Sequence, residues 1–547
     1  MSMSYKTGCK YIDEYIELVN KNDVPYCSWQ YKLIELIQDI FKNESLQWND
    51  EEIEKFMSYQ KYFDYDLFEW EKFMFVLHNC IRDKDGLLRF PEIFIYVGRG
   101  SGKNGFLSFE DFCLLTPTNK VKNYSIDISA NSEEQAMTSF LDIHSILEND
   151  KARFKKFFKW NKTEIKCLKN NNILKYRTSN AKTKDGLRTG KLDLDEVHAY
   201  QCYDMIDVMK TGLGKVKDSR ITYISTNGDI RDGVLDDLLK KSHKILNREL
   251  KDFGFLPFLC CLENEKEVKN PKNWHKSNPS LRYLKTLQKE IEREYQDYLL
   301  DEYKNLSFMT KRMNYYKQAK EHLVATWEDI QATNRPTTFE NTNKDVILGL
   351  DFSKTTDFIG TFILGKDGEM YNGQQFSFFC KNSNDANRIK APLEDFEKKG
   401  LMQIVDDVEI PIEIVINYIR NLQNHYHILM LVVDNYRYSF LSSRLKEIGY
   451  SKENNNLKMT RPSDIMGVTQ KVNSVFINHK LQVGDDDLFR WFTNNTKLVP
   501  MKNNNYTYEK IEPKSRKNDG FMAFVNCMVC SDLLETPEHD FLKPIIF

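Results

Sequence analysis

A short apolar run, Phe94-Ile95-Tyr96-Val97, leads straight into Gly98-Arg99-Gly100-Ser101-Gly102-Lys103-Asn104. Nucleotide phosphates call for such a strand, glycine-rich turn and closing Gly-Lys. The glycines let backbone N–H groups converge on an anion, and Lys103 reaches the outer phosphates. Gly105 to Leu115, rich in Phe and Leu, reads as a helix whose positive N-terminus faces them. The pattern G-x-x-x-x-G-K-[ST] would place glycine at Val97 and a hydroxyl at Asn104, so a plain strand–turn–helix is the competing reading. A phosphate loop also needs a metal ligand and a group that activates water. Leu192-Asp193-Leu194-Asp195-Glu196 supplies both, with Asp195 to hold Mg²⁺ through water and Glu196 to polarise the attacking water of ATP hydrolysis. Read alone, these residues are an acidic loop after a strand, and Lys191 and Asp193 make that strand less apolar than a buried one should be. Ile221-Thr222-Tyr223-Ile224-Ser225-Thr226 is a β-branched strand with a small polar end. In translocating ATPases such an end, here Ser225 and Thr226, sits beside the γ-phosphate. Trp70 and Glu71, within Leu67 to Phe73, are candidates for the adenine ring, a core tryptophan being the ordinary alternative.

A second set of carboxylates follows. Asp351 closes Val346-Ile347-Leu348-Gly349-Leu350, Asp434 closes His427 to Val433, and Asp519 opens an apolar helix after the basic run Lys514-Ser515-Arg516-Lys517. Two parallel strands ending at one edge would set Asp351 beside Asp434, with Asp519 closing the cluster. Two bare carboxylates about 4 Å apart repel by roughly 4 kcal/mol at an effective dielectric near 20. Such a cluster stays ionised with cations, Mg²⁺ or Mn²⁺, and two metals so held hydrolyse phosphodiesters. Asp at strand ends by turn preference alone is the plainer reading among 80 acids.

These residues need strands to carry them. Apolar three- and four-residue spacing predicts helices around Tyr11–Leu18 and Tyr31–Phe41. Phe94–Val97, Ser125–Ser129, Leu192–Asp195 and Ile221–Ser225 predict a mostly parallel sheet. A polar stretch punctuated by Pro271 and Pro279, with a helix from Leu281 to about Leu323, predicts a linker ending near Pro336. A second α/β region follows, with strands at Val346–Asp351, Thr361–Leu364 and Ile428–Asp434 and a helix from Asp519 to about Leu533.

At 547 residues and 41% hydrophobic content the chain is long enough for several globular cores. Its net charge of −2 leaves no global field to draw in a polyanion, so DNA would be held by local patches. Lys151 to Trp160 is one such candidate; an amphipathic helix burying Phe154, Phe157 and Phe158 is the other reading. Lys514, Arg516 and Lys517 are the second, beside the candidate acid Asp519. No apolar run approaches the ~20 residues of a membrane span and no signal segment is visible. Eleven scattered cysteines read as reduced thiols, and Cys527-x-x-Cys530 as part of a core helix.

In order along the chain, these motifs resemble the large subunit of tailed-bacteriophage terminase. Leu67–Phe73 stands in the place of that family's adenine-contacting Trp-Gln motif, and Gly98–Lys103 in that of its phosphate loop. Ala130-Asn131-Ser132, Lys184-Asp185-Gly186-Leu187, Asp195-Glu196-Val197-His198, Ser225-Thr226-Asn227-Gly228, Asn278-Pro279, Gly349-Leu350-Asp351-Phe352-Ser353, Asn494-Asn495 and Lys514 to Gly520 follow in turn. The resemblance implies an α/β chain: an N-terminal P-loop ATPase of the additional-strand, helicase-like kind, then a ribonuclease H-like nuclease. It implies domains at 1–265, 266–340 (the linker) and 341–547. By position, Arg99 and Lys103 would contact phosphates within the loop Gly98, Gly100, Ser101, Gly102 and Asn104. Asp195 would hold Mg²⁺, Glu196 would activate water, and Asp351, Asp434 and Asp519 would hold the nuclease metals. Asn104 and Glu71 depart from the family's hydroxyl and glutamine. The implied partners are double-stranded DNA, a portal protein and a small terminase subunit, with no membrane. The implied setting is a homo-oligomeric ring in the host cytoplasm, monomeric in isolation, with an arginine such as Arg188 acting across subunits. A helicase or restriction-type translocase and a non-catalytic nucleotide-binding scaffold are the alternatives.

Overall fold

The structure, a computed structural model, describes residues 5–130, 133–177, 188–231, 233–302, 304–316, 324–338, 344–352, 358–383, 386–389, 391–407, 409–434, 438–501, 505–512 and 515–534. Asn131, Ser132, Lys184 to Leu187, Ser353 and Lys514 lie outside the described residues. The chain divides into two compact units, residues 1–317 and 318–547.

In the first unit the β-branched and aromatic runs form β1 (Glu92–Tyr96), β2 (Ser125–Ser129), β3 (Phe158–Trp160), β4 (Glu164–Cys167), β5 (Ile173–Arg177), β6 (Thr189–Leu194), β7 (Arg220–Ser225) and β8 (Phe255–Leu259). Their order is β3-β4-β5-β2-β6-β7-β1-β8. Pairing is parallel from β5 through to β8, and antiparallel only at β3-β4-β5. Parallel strands bury both faces, and here helices such as Glu69–Asn79, Lys103–Leu115 and Val234–Leu246 supply the cover. Lys151 to Trp160 does not make one amphipathic helix. It turns helical only over Lys151–Phe154 and then enters β3, burying Phe154 and Phe158 but leaving Phe157 54% exposed.

The polar residues of β6 are fully buried and paired. Lys191 Nζ lies 2.6 Å from Asp111, 2.7 Å from Asp193 and 2.9 Å from Glu110, whose other oxygen meets His78 at 2.8 Å. A buried charge persists only with such partners. This network joins β6 to the helix Lys103–Leu115, so the elements that lead to Asp195 and from Lys103 share one ionic core.

The stretch after β8 packs around Trp274, Leu281, Ile291, Phe308 and Met309. Its helix spans Lys285–Leu300 and stops where Asp301 turns extended, short of the expected Leu323. A π-helical turn, Phe308–Arg312, follows.

The second unit carries β9 (Asp345–Asp351), β10 (Ile359–Asp367), β11 (Met370–Cys380), β12 (Met402–Val405), β13 (His427–Asp434), β14 (Leu457–Thr460) and β15 (Leu481–Gln482). The order is β12-β11-β10-β9-β13-β14, with β15 on β11. β9, β10 and β11 run antiparallel, whereas β13 and β14 are parallel additions. Period-two alternation splits β9: Val346, Leu348 and Leu350 join the core under the helix Ile412–Gln423, and Ile347 joins that under Asp519–Val529. Gly349 permits the closeness of that last helix, since a Cβ there would lie 2.0 Å from the Ala523 carbonyl oxygen. Cys527 of the same helix is buried in that core. β16 (Thr496–Pro500) and β17 (Tyr506–Lys510) form a separate hairpin. No helix among the described residues is long and apolar enough to cross a membrane.

Candidate nucleotide and carboxylate sites

β1 lies between β7 and β8, and its C-terminal end delivers the glycine loop. Gly100 and Gly102 take left-handed backbone (φ +87° and +96°), and the helix Lys103–Leu115 begins immediately after. Not every loop amide is free for an anion, as the sequence led one to expect. Gly98 N–H donates to the Ser277 carbonyl (2.8 Å) and Arg99 N–H to the Lys311 carbonyl (2.8 Å). Arg312 donates to the Arg99 carbonyl (2.7 Å) while pairing with Glu290 and Glu294. Ser280 donates to the Ser101 carbonyl (2.7 Å). The segment after β8 thus clamps the outer half of the loop and leaves the amides nearer the helix for a phosphate. Arg99 is exposed; Ser101 and Lys103 are buried, and Asn104 is half-buried.

Asp195 and Glu196 follow β6 directly, and Asp195 N–H extends the ladder to the Ser129 carbonyl. Burial lowers the Lys103 pKa, with the charges of Glu196 and Asp195 pulling the other way. Burial, then the charge of Glu196, pushes Asp195 up to about 7, with Lys103 opposing. Glu196 goes the opposite way: although burial raises it, the His198 hydrogen bond and the charges of His198, Lys103 and Lys311 hold it at about 2. Glu196 also adopts a left-handed backbone, φ +52°, rare for a residue with a side chain.

His198 joins three parts of this site. Its backbone N–H donates to Ser225 Oγ (3.0 Å), its Nδ1 lies 3.0 Å from Glu196 Oε2, and its Nε2 accepts from Lys311 Nζ (2.6 Å). Burial lowers the His198 pKa, against the pull of the Glu196 hydrogen bond. With Nε2 accepting, the ring proton sits on Nδ1, facing the carboxylate. Ser225 and Thr226 are buried at the end of β7. Trp70 is in the core, its indole N–H on Ser280 Oγ (2.9 Å), so no face is open to a base; Glu71 instead lines a cavity beside Gly102. Arg188 is exposed. Lys311 and Arg312 carry no motif, and at this distance along the chain no sequence signal could have joined them to the loop.

In the second unit Val433 pairs with Leu350, so Asp434 and Asp351 are the next residues of neighbouring parallel strands. Both line a cavity of about 170 Å³ with Thr460, Arg461, Thr507 and Asn526. Asn526, absent from the sequence reading, donates to the Leu350 carbonyl (3.0 Å) and accepts from Thr460 (3.1 Å), fixing the ends of β9 and β14. Asp519 starts the helix as expected but is buried, 3.4 Å from Lys510 Nζ, and is not part of that lining. Among the described residues no group of three or more His, Cys, Asp or Glu is arranged to hold a metal. The pair Asp351 and Asp434 nonetheless offers the hard oxygen donors that Mg²⁺ takes. Lys517 is 1% exposed and cannot serve as a surface phosphate grip.

Residues 69–244 match the terminase large subunit ATPase domain, and residues 249–531 match the terminase large subunit endonuclease domain. The chain belongs to the terminase large subunit family. It is 24% identical to the terminase large subunit of Lactococcus phage SK1 over 431 residues, 77% of this chain and 78% of that one. To the same protein of Lactococcus phage p2 it is 23% identical over 430 residues, again 77% and 78%. The HK97 bacteriophage large terminase structure aligns with 88% of this chain and all of its own, at 17% identity and a TM-score of 0.49. The terminase chain is therefore an ATPase and an endonuclease of phage DNA packaging, with a P-loop ATPase domain ahead of a ribonuclease H-like nuclease.

Proposed function

We propose that this terminase subunit couples ATP hydrolysis to the movement of double-stranded DNA into a procapsid and cuts concatemeric DNA with two metal ions. The observation that carries the motor reading is the meeting of Lys103, Asp195, Glu196 and the end of β7 through His198. Lys103 binds the outer phosphates, with Arg99 at the loop's exposed edge. Glu196, held ionised, accepts a proton from the attacking water, and His198 holds that carboxylate in place. Ser225, bonded to His198, passes the state of the site to β7. Asp195 would hold Mg²⁺ in the motor, and Asp351, Asp434 and Asp519 would hold Mg²⁺ or Mn²⁺ in the nuclease; such metals would supply charge neutralisation of phosphate oxygens and a more acidic water.

Residues 1–265 are the motor, 266–340 its linker and 341–547 the nuclease. The subunit works as a ring on a portal protein in the host cytoplasm, with a small terminase subunit selecting the DNA and an arginine acting between subunits. ATP turnover by the full chain tests the motor reading. Wild type is expected to hydrolyse ATP and Lys103→Ala to lose it; equal turnover in both would overturn the assignment.

A further inference from the structure

The segment after β8 brings into the phosphate site one side chain that the mechanism above does not use. Lys311 belongs to the π-helical turn Phe308–Arg312. Its backbone is fixed on the glycine loop: its carbonyl accepts the Arg99 N–H at 2.8 Å. The next residue, Arg312, donates to the Arg99 carbonyl at 2.7 Å and is anchored by Glu290 and Glu294. The turn is thereby held to the loop, and the flexible stem of Lys311 is what is left to move.

The half-buried ammonium ends inside the site. It donates to His198 Nε2 at 2.6 Å, and His198 Nδ1 lies 3.0 Å from Glu196 Oε2 and 3.2 Å from Ser225 Oγ. A lysine carries three N–H donors, and among the described residues no ion pair engages this one. A charge that burial strips of water needs an anion or several acceptors, and one imidazole nitrogen is neither. Burial lowers the Lys311 pKa; Asp229 and Glu196 oppose that, and Arg99 and Arg231 add to it. Arg99 and Lys311 line one cavity of about 90 Å³ with Ser307 and Arg312. The charges of Lys311 and Arg99 also act on Lys103. Three cations thus converge on the glycine turn, a surplus that suits a triphosphate better than a diphosphate.

We propose that Lys311 leaves His198 for the γ-phosphate when ATP binds, so that the segment after β8 supplies a catalytic cation to the site of its own chain. The step rests on the nucleotide reading above and adds to it the group that tells ATP from ADP. As water attacks, its oxygen bonds to the γ-phosphorus and its proton goes to Glu196. The bond from the γ-phosphorus to the bridging oxygen breaks, leaving ADP. Lys311 forms no covalent bond; it neutralises charge on the γ-phosphate oxygens throughout. ADP presents no γ-phosphate, so with ADP Lys311 returns to His198. The same exchange reports the bound nucleotide to the segment, since Lys311 and the clamp on Arg99 are parts of one turn.

The test titrates the full chain with a non-hydrolysable ATP analogue and with ADP, both with Mg²⁺, and measures steady-state ATP turnover. Wild type is compared with Lys311→Met, Lys311→Gln and Lys311→Arg, with thermal melts to confirm folding. Lys311→Met is expected to weaken the ATP analogue by about tenfold or more and ADP by less than about threefold. Its kcat should fall by about tenfold or more. Lys311→Gln keeps a donor for His198 but no charge and should behave like Lys311→Met, whereas Lys311→Arg should recover part of both losses. In a His198→Ala background, Lys311→Met should still weaken the ATP analogue selectively. Equal losses for the ATP analogue and ADP, unchanged values for both, or a loss that vanishes in His198→Ala would overturn the role of Lys311 while leaving the ATPase reading intact. If Lys311→Met does not fold, Lys311→Gln and Lys311→Arg decide. Failure of wild type to bind either nucleotide would overturn the nucleotide reading itself and this inference with it.

Discussion

Glu196 occupies a left-handed backbone, which costs a residue with a side chain on the order of 1–2 kcal/mol. Strain of that kind persists where its surroundings over-determine it, and here Lys103, His198 and Lys311 all act on the carboxylate. Glu196→Gln should lower ATP turnover by about 100-fold or more while leaving ATP affinity within a few-fold; phosphate release and nucleotide titration read the two separately. Turnover near wild type would remove Glu196 from the reaction. His198 acts through Glu196 rather than on substrate, so His198→Ala should cost about 10-fold in kcat with KM little changed. A pure KM effect would assign it to binding instead. In the second unit Asn526 donates to the Leu350 carbonyl and accepts from the Thr460 hydroxyl beside Asp351. Asn526→Ala should destabilise that unit by about 1–3 kcal/mol, read by urea unfolding. The local motifs at Gly98–Lys103, Asp195-Glu196 and Asp351 were legible because each is carried by a few adjacent residues. Lys311, Asn526 and the burial of Trp70 were not, since each depends on what folding brings from far along the chain.

At the scale of elements, the strand that looked too polar to be buried is the clearest lesson. Lys191 and Asp193 of β6 lie fully inside because Lys191 meets Asp193 together with Glu110 and Asp111 of the helix Lys103–Leu115 in one ionic cluster. Periodicity sees one strand at a time and cannot see the partner. Breaking a buried ion pair leaves uncompensated charge, so Lys191→Met should cost about 3–5 kcal/mol at neutral pH. The sign with pH follows from the acids left behind. Burial and then the charge of Asp111 already hold Asp193 well above its ordinary 3.8. An acid raised in the folded state costs stability above its unfolded pKa and gives it back as pH falls. The deficit of Lys191→Met should therefore shrink from pH 7 toward pH 5 in urea unfolding. A deficit independent of pH would mean that lost packing, not orphaned charge, is the cause. The strands β1, β2, β7 and β13 fell close to where alternation put them, while β3 and the break at Leu300 answered to sheet pairing and capping that local pattern does not encode.

The whole molecule joins two chemistries on one chain, each held at the C-terminal ends of parallel strands where backbone and side chains converge. Fold class was legible from the succession of strand and helix signals and from the order of motifs. The closeness of Asp351 to Asp434 was legible as well, because two runs of similar length ending in aspartate pair in parallel register. The burial of Asp519 against Lys510 was not. The central claim is that this one chain both hydrolyses ATP and cuts DNA at Asp351 and Asp434. Its most direct measurement is cleavage of supercoiled plasmid by the full chain with Mg²⁺ or Mn²⁺, beside Asp434→Ala and an EDTA control, each with ATP turnover measured on the same sample. The account predicts metal-dependent nicking or linearisation that disappears in Asp434→Ala while ATP turnover persists. Cleavage undiminished in Asp434→Ala, or an intact plasmid with folded, ATP-hydrolysing wild type, would contradict it.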